Sequence, residues 1–246
     1  MDSENKSSRG NFSSLSRGGN GTRRDSVAVT LEWVEEQRRA MVETQLRRRG
    51  IRDERVLRAM GEVPRHEFVP RELLREAYDD HPLPIGGGQT ISQPYIVAQM
   101  VEALALEGRE RVLEVGTGSG YEAAVLARLA ARVYTIECDA ALARTARERL
   151  NRLGFGDTVV VIEGDGSAGY APEAPYDGIL VAAAAPEVPV QLVEQLVEGG
   201  RLVIPVGERD SQELRLLRKL DGSPVVSKLG YCRFVPLLGA QGWEKI

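Results

Sequence analysis

The residues with the clearest chemistry fall in three short stretches. Residues 112–121 read VLEVGTGSGY, an apolar run with a carboxylate at Glu114, followed by glycines at 116, 118 and 120 and then the helical run EAAVLARLA. A Gly-x-Gly-x-Gly turn lets the backbone come close to a ligand, and the helix after it presents free N–H groups. A dinucleotide fingerprint would be Gly-x-Gly-x-x-Gly, so a pyrophosphate is not the first reading; other nucleotide folds and a plain structural turn use similar glycines. Glu137 follows Gly116 by about twenty positions, where a carboxylate can accept hydrogen bonds from both ribose hydroxyls and disfavours a 2′-phosphate. The Gly164-Asp165-Gly166 turn adds a second acceptor, suited to the exocyclic amine of adenine, beside a glycine that lets the ring reach the backbone. Taken singly, Glu137 is equally a solvated strand end and Asp165 an ordinary turn residue. Their joint spacing after the glycine turn is what points to a nucleoside.

These residues need a scaffold that brings several strand ends together. From Arg111 onward, apolar runs and helical patterns alternate: strands over 111–115, 132–136, 158–163, 177–181 and 201–206, and helices over 121–130, 140–152 and 189–197. That alternation predicts an α/β fold, a doubly wound, mostly parallel sheet covered on both faces, with ligands beyond the carboxyl ends of the strands. Strand-like runs near 212–219, 224–229 and 231–237 should add antiparallel strands at one edge. Upstream, residues 30–49 are helical in composition, and Asp53 stands where an N-cap would precede Val56, Leu57 and Met60. Together these predict an N-terminal helical cap. A Pro- and Gly-rich segment, AYDDHPLPIGGGQTISQP, then leads into a helix from about Tyr95 to Leu106; a loop this long inside a compact domain usually has a function.

The chain has 246 residues and a net charge of −4. That suits one main domain, and the balance offers no overall reason to expect nucleic acid or an anionic membrane as a partner. Residues 1–28 read as a disordered tail, because seven Ser, four Gly and three Asn fill most of its first 26 positions. Residues 29–246 divide into the cap and loop (29–106), the Rossmann-like core (107–207) and the C-terminal strands (208–246). No apolar run is long enough for a membrane span and no secretory signal is present, so a soluble cytoplasmic protein is expected. Cys138 and Cys232 have no metal-ligand spacing and the histidines are only His66 and His81, so no metal is expected.

The glycine turn resembles motif I of the class I S-adenosylmethionine-dependent methyltransferases. The segments MVETQLRRRGIRDERVLRAMGEVPRHEFVP, GQTISQP (Gly88 to Pro94), VLEVGTGSGY, GDG, YDGILVAAAAPEVP, GGRLVIPVG and FVPLLGAQGW together resemble the protein-L-isoaspartate O-methyltransferases of bacterial type, over about Arg39 to Trp243. GQTISQP is the most specific of them. The resemblance implies methyl transfer from S-adenosylmethionine to the free α-carboxylate of L-isoaspartyl residues in damaged proteins and peptides, and a monomer is expected. The ester then closes to a succinimide, which hydrolyses in part to normal aspartate.

By the same resemblance Ser92 is the catalytic residue, lying between cofactor and acceptor carboxylate. The cofactor is expected against Thr90, Ile91, Gln93, Val97, Glu114, Gly116, Thr117, Gly118, Ser119, Glu137, Cys138, Asp165, Gly166, Ser167, Leu238 and Gln241. Two positions depart from the family pattern: Ala182 stands where a threonine is common, and Leu238 replaces a polar residue of animal-type members. A neutral hydroxyl suits the nucleophile better than an arginine clamp, which would bind the carboxylate too tightly. Ser92 also stands where it could merely cap the helix after Pro94. His66, bounded by prolines, reads as structural, and Asp79 and Asp80 as residues that fix the loop or occupy a solvated turn. Two other functions remain open: a methyltransferase of this fold acting on another carboxylate or small molecule, and a non-catalytic module that binds S-adenosylmethionine or RNA.

Overall fold

The computed structural model describes residues 30–244. The expected N-terminal tail therefore lies outside the described residues. Seven strands form one sheet: β3 (Arg111–Val115), β4 (Arg132–Glu137), β5 (Val159–Glu163), β6 (Tyr176–Val181), β7 (Leu196–Glu208), β8 (Ser211–Leu220) and β9 (Ser223–Cys232). Their order is β5-β4-β3-β6-β7-β8-β9, parallel through β7 and antiparallel beyond it. The chain builds outward from β3 through β4 to β5, then returns to place β6 on the other side of β3. That reversal opens a crevice at the carboxyl ends of β3 and β6.

Side chains of β3 alternate between two apolar layers. Val112 belongs to one cluster and Leu113 and Val115 to the other, so Glu114 shares the face of Val112. On that face pack α3 (Pro94–Leu104), α4 (Tyr121–Leu126) and α5 (Ala140–Arg152), with α2 (Glu54–Glu62) stacked on α3 and α4. The sequence explains each helix locally. Asp53 caps α2 by accepting from Arg55 N at 2.8 Å, and Asp139 caps α5 by accepting from Ala141 N and Leu142 N at 2.8 and 3.0 Å. Ala143, Ala146 and Leu150 then form the buried stripe of α5. On the opposite face, α6 (Val190–Glu194) buries Leu192.

Several boundaries differ from expectation. The first helical stretch is not continuous: α1 (Leu31–Ala40) widens into a π turn over Met41–Leu46, tightens to a 3₁₀ turn over Arg47–Arg49 and ends at Gly50. Thr44 Oγ1 donates to the Ala40 carbonyl at 2.7 Å, competing with the helical ladder at that point. The helix expected over 121–130 continues past Leu126 only as turns. The one expected over 189–197 is shorter, because Leu196 already pairs with Tyr176. The segment read as loop contains a hairpin of β1 (Leu83–Gly86) and β2 (Gln89–Ile91). Its Gly87 and Gly88 take φ of 59° and 73°, as a two-residue hairpin turn requires. At the C-terminus, one strand replaces two: β9 runs to Cys232, and residues 233–238 leave the sheet.

Candidate functional site

A cleft of about 780 Å³, open solvent included, lies at the carboxyl ends of β3, β4 and β6, within the size range of small-molecule sites. Its floor is the turn after β3: Gly116 N donates to the Ile136 carbonyl at 2.9 Å, which ties the turn to β4. One wall is the β2 hairpin strand with Ser92, another is Ala182 and Ala183 after β6, and the far wall is the C-terminal segment Val235–Leu238. That segment is held there by backbone bonds in which Ala184 N donates to the Val235 carbonyl and Leu237 N to the Ala184 carbonyl, both at 2.8 Å.

Glu137 ends β4 inside the cleft, 6% exposed. Its Oε2 accepts from Gly118 N at 2.8 Å and its Oε1 from Asp139 N at 3.0 Å. Each oxygen keeps a lone pair for a further donor, which fits a pair of ribose hydroxyls. Glu122, in the first turn of α4, also lines the cleft, and its Oε1 has no hydrogen-bond partner among the described residues. Burial pushes its carboxyl up to about 8. Glu114 lies beneath the floor, fully buried, and accepts from Thr135 Oγ1, which in turn is 2.6 Å from Thr117 Oγ1. Burial raises its carboxyl well above the usual range, reinforced by the charges of Glu122 and Glu137.

Asp165 faces an adjoining groove that shares Cys138 and Leu238 with the main cleft. Burial opposes its charge, but the N–H of Ala240 and the hydroxyl and N–H of Ser167 outweigh that and hold its carboxyl below the usual range. Gly166 is glycine for a steric reason. A Cβ there would lie 2.6 Å from both Ile136 Cγ2 and Val115 Cγ1, so the ends of β3 and β4 occupy the space themselves.

Ser92 does not cap the helix after it: Gln93 occupies the N-cap position of α3, with no side-chain cap bond. The Ser92 side chain is left to the cleft wall. Gln93 braces that wall from behind. Its Nε2 donates to Asp80 Oδ2 at 2.8 Å and to the Asp80 carbonyl at 2.9 Å, while Tyr95 N donates to Asp80 Oδ1 at 3.3 Å. Arg49 pairs with the same carboxylate and stacks over the Tyr95 ring.

A family model for protein-L-isoaspartate(D-aspartate) O-methyltransferases matches residues 36–242. The chain belongs to this family. A protein-L-isoaspartate O-methyltransferase from Methanoculleus marisnigri is 57% identical over 208 residues, which cover 85% of this chain and 94% of its own. One from Koribacter versatilis is 57% identical over 207 residues, covering 84% and 93%. A solved protein-L-isoaspartate O-methyltransferase superposes with a TM-score of 0.76 at 32% identity, over 83% of this chain and 67% of that one. A candidate enzyme of the same kind from Plasmodium falciparum, crystallised with S-adenosyl-L-homocysteine, superposes with a TM-score of 0.70 at 28% identity, over 82% and 98%. The family's S-adenosylmethionine is compatible with this cleft, given the spare acceptors of Glu137, the apolar walls and the unpaired Glu122.

Twelve of the residues expected for a family member line the main cleft: Thr90, Ile91, Ser92, Val97, Gly116, Thr117, Gly118, Ser119, Glu137, Cys138, Gly166 and Leu238. Five do not. Glu114 points under the turn, because strand alternation sends it to the α4 layer. Gln93 faces Asp80, and Asp165 faces the adjoining groove. Ser167 is fully buried, its hydroxyl accepting from Gln241 N at 3.0 Å, so these two residues support the Asp165 turn. His66 lies outside the main cleft, its Nδ1 2.7 Å from the Tyr78 hydroxyl. Sequence reasoning missed Glu122, although a lone carboxylate opening an otherwise apolar helix right after the glycines was a usable signal. It also missed Val235 and Pro236, whose approach depends on chain crossing.

Proposed function

We propose that this chain methylates the free α-carboxylate of L-isoaspartyl residues in damaged peptides and proteins, acting as a cytoplasmic monomer in which cap, core and C-terminal strands form one catalytic unit. The observation that carries the residue assignments is the meeting of Ser92 with the Gly116–Ser119 turn and Glu137 in one cleft. When bound, S-adenosylmethionine supplies a methyl group on a sulfonium. The acceptor carboxylate is ionised at neutral pH, with a reference pKa of roughly 3.5, so no general base is needed. What the chain must do is position and exclude water.

Glu137 holds the ribose hydroxyls, and Asp165, kept ionised by its backbone donors, accepts from the adenine amine across the shared edge at Cys138. Ser92 donates one neutral hydrogen bond to the acceptor carboxylate, enough to orient it without quenching its nucleophilicity. Ile91, Val97 and Leu237 keep the reacting region apolar. The deciding experiment is transfer of labelled methyl to paired peptides that differ only in L-isoaspartate against L-aspartate. Base-labile label on the isoaspartyl peptide alone supports the reading. Transfer to neither, with cofactor still bound, moves the function to another acceptor.

A further inference from the structure

Glu122 has no role in the reaction as derived so far, yet it is the cleft's unpaired buried charge-bearing group. It is 7% exposed and lines the cleft, and its Oε1 lacks a partner among the described residues. The ionisable groups around it are unhelpful to an anion. β3 brings Glu114 and β4 brings Glu137, both acidic, and Tyr121 stands beside it. Neither positive group nearby lines the cleft: Arg65, fully buried, lies over the Tyr121 ring and donates from Nε to the Ala77 carbonyl, its two terminal nitrogens without a partner among the described residues, and Arg149 of α5 donates to the Ser119 carbonyl. Elsewhere α5 meets this turn with Ala146 and Leu150, and α2 meets Tyr121 with Met60. The hairpin and C-terminal walls present Ile91, Val97 and Leu237.

A buried carboxylate with an unpartnered oxygen is costly when ionised and so stays protonated until a cation arrives. The cleft is lined by two acids, Glu122 and Glu137, with Glu114 beneath its floor, and among the described residues no cation lines it. We propose that Glu122 is an anionic anchor for the positively charged methionyl end of the cofactor, and that it releases a proton to solvent as that end binds. The inference rests on the cofactor assignment above. Two cations are available at that end, the α-ammonium and the sulfonium, and they share the chemistry that Glu122 would recognise. If the sulfonium is the partner, the anchor also favours substrate over the neutral thioether product and so helps product leave.

The test is titration calorimetry on the full chain in two buffers of different ionisation heat, which counts protons exchanged on binding. It is run from about pH 6 to about pH 7, where a free α-amino group, with a reference pKa of roughly 7.7–8.0, stays mostly protonated. The ligands are S-adenosylmethionine, S-adenosylhomocysteine and 5′-methylthioadenosine, which has no amino-acid end and a neutral sulfur. Near neutral pH, wild type should release about half a proton or more per S-adenosylmethionine and none with methylthioadenosine, since a close cation lowers a carboxyl by about one to three units. Glu122→Gln should abolish the release and weaken S-adenosylmethionine binding about tenfold at the upper pH. Release with S-adenosylhomocysteine as well assigns the ammonium, and release with S-adenosylmethionine alone assigns the sulfonium; both support the anchor. Equal proton counts in wild type and Glu122→Gln, or none in wild type, overturn it. Should Glu122→Gln fail to fold, the wild-type contrast between S-adenosylmethionine and methylthioadenosine decides. Failure of wild type to bind S-adenosylmethionine at all would instead overturn the cofactor assignment.

Discussion

Replacing Asp80 with alanine should slow methyl transfer even though Asp80 does not touch the cleft. Its carboxylate accepts from Gln93 Nε2 at 2.8 Å and Tyr95 N at 3.3 Å and pairs with Arg49. The chain that follows Ser92 is therefore pinned, at Gln93 and Tyr95, to this one group. A hydrogen bond to a charged acceptor contributes about 1.5–3 kcal/mol and the partly exposed ion pair at most about 1. Gln93 keeps its bond to the residue-80 carbonyl, at 2.9 Å, in the variant. A net loss of about 2 kcal/mol follows, or a melting temperature lower by roughly 4–8 °C for a domain of this size. The catalytic effect should exceed what this destabilisation alone explains. A displacement of about 1 Å at the hairpin costs on the order of 10²-fold in an oriented reaction, so kcat on an isoaspartyl peptide should fall about ten- to a hundredfold. Cofactor affinity, which the proposed function assigns to Glu137 and Asp165 on other elements, should change less than about threefold. The assay pairs initial rates at saturating cofactor with calorimetric binding on the same preparation. A kcat within about twofold of wild type, measured well below the melting temperature, would show that the brace does not position Ser92.

Other variants separate binding from positioning. Ser92→Ala should lower kcat about tenfold or more while leaving the cofactor dissociation constant nearly unchanged; unchanged kcat would remove Ser92 from the reaction. Glu137→Gln should weaken cofactor binding by about 1.5–3 kcal/mol by calorimetry, with a smaller effect on kcat once saturated, and an unaltered affinity would contradict the ribose assignment. Stability of the ligand-free protein should depend on Glu122 with a definite sign. Its folded carboxyl, at about 8, lies above its value of 4.5 in the open chain, so the folded form holds a proton the unfolded chain has lost. That contribution is complete below about pH 4.5, declines as pH rises and is gone above about pH 8. Denaturant melts of wild type against Glu122→Gln should diverge across that window by about 5 kcal/mol in total; parallel profiles would show that Glu122 is not held protonated.

The local chemistry of this protein was legible in its sequence because short-range rules govern it. The strand-turn-helix around Gly116, the Asp53 and Asp139 caps and the parallel order of β3 to β6 each follow from apolar periodicity, capping side chains and the handedness of crossover connections. The membership of Ser92, Glu137 and the glycine turn in one site was likewise readable, since strand ends of a doubly wound sheet converge. Tertiary structure decided what depends on side-chain direction and on long-range chain crossing. Strand alternation sends Glu114 beneath the turn, and the start of α4 turns Glu122 into the cleft. Asp80, thirteen residues before Gln93, recruits that amide away from the cleft. The FVPL segment leaves β9 to bond Ala184, bringing Val235 and Leu237 to the far wall. Short-range propensity carries no information about which of two faces a residue meets across fifty or more positions; only burial in the packed chain selects it.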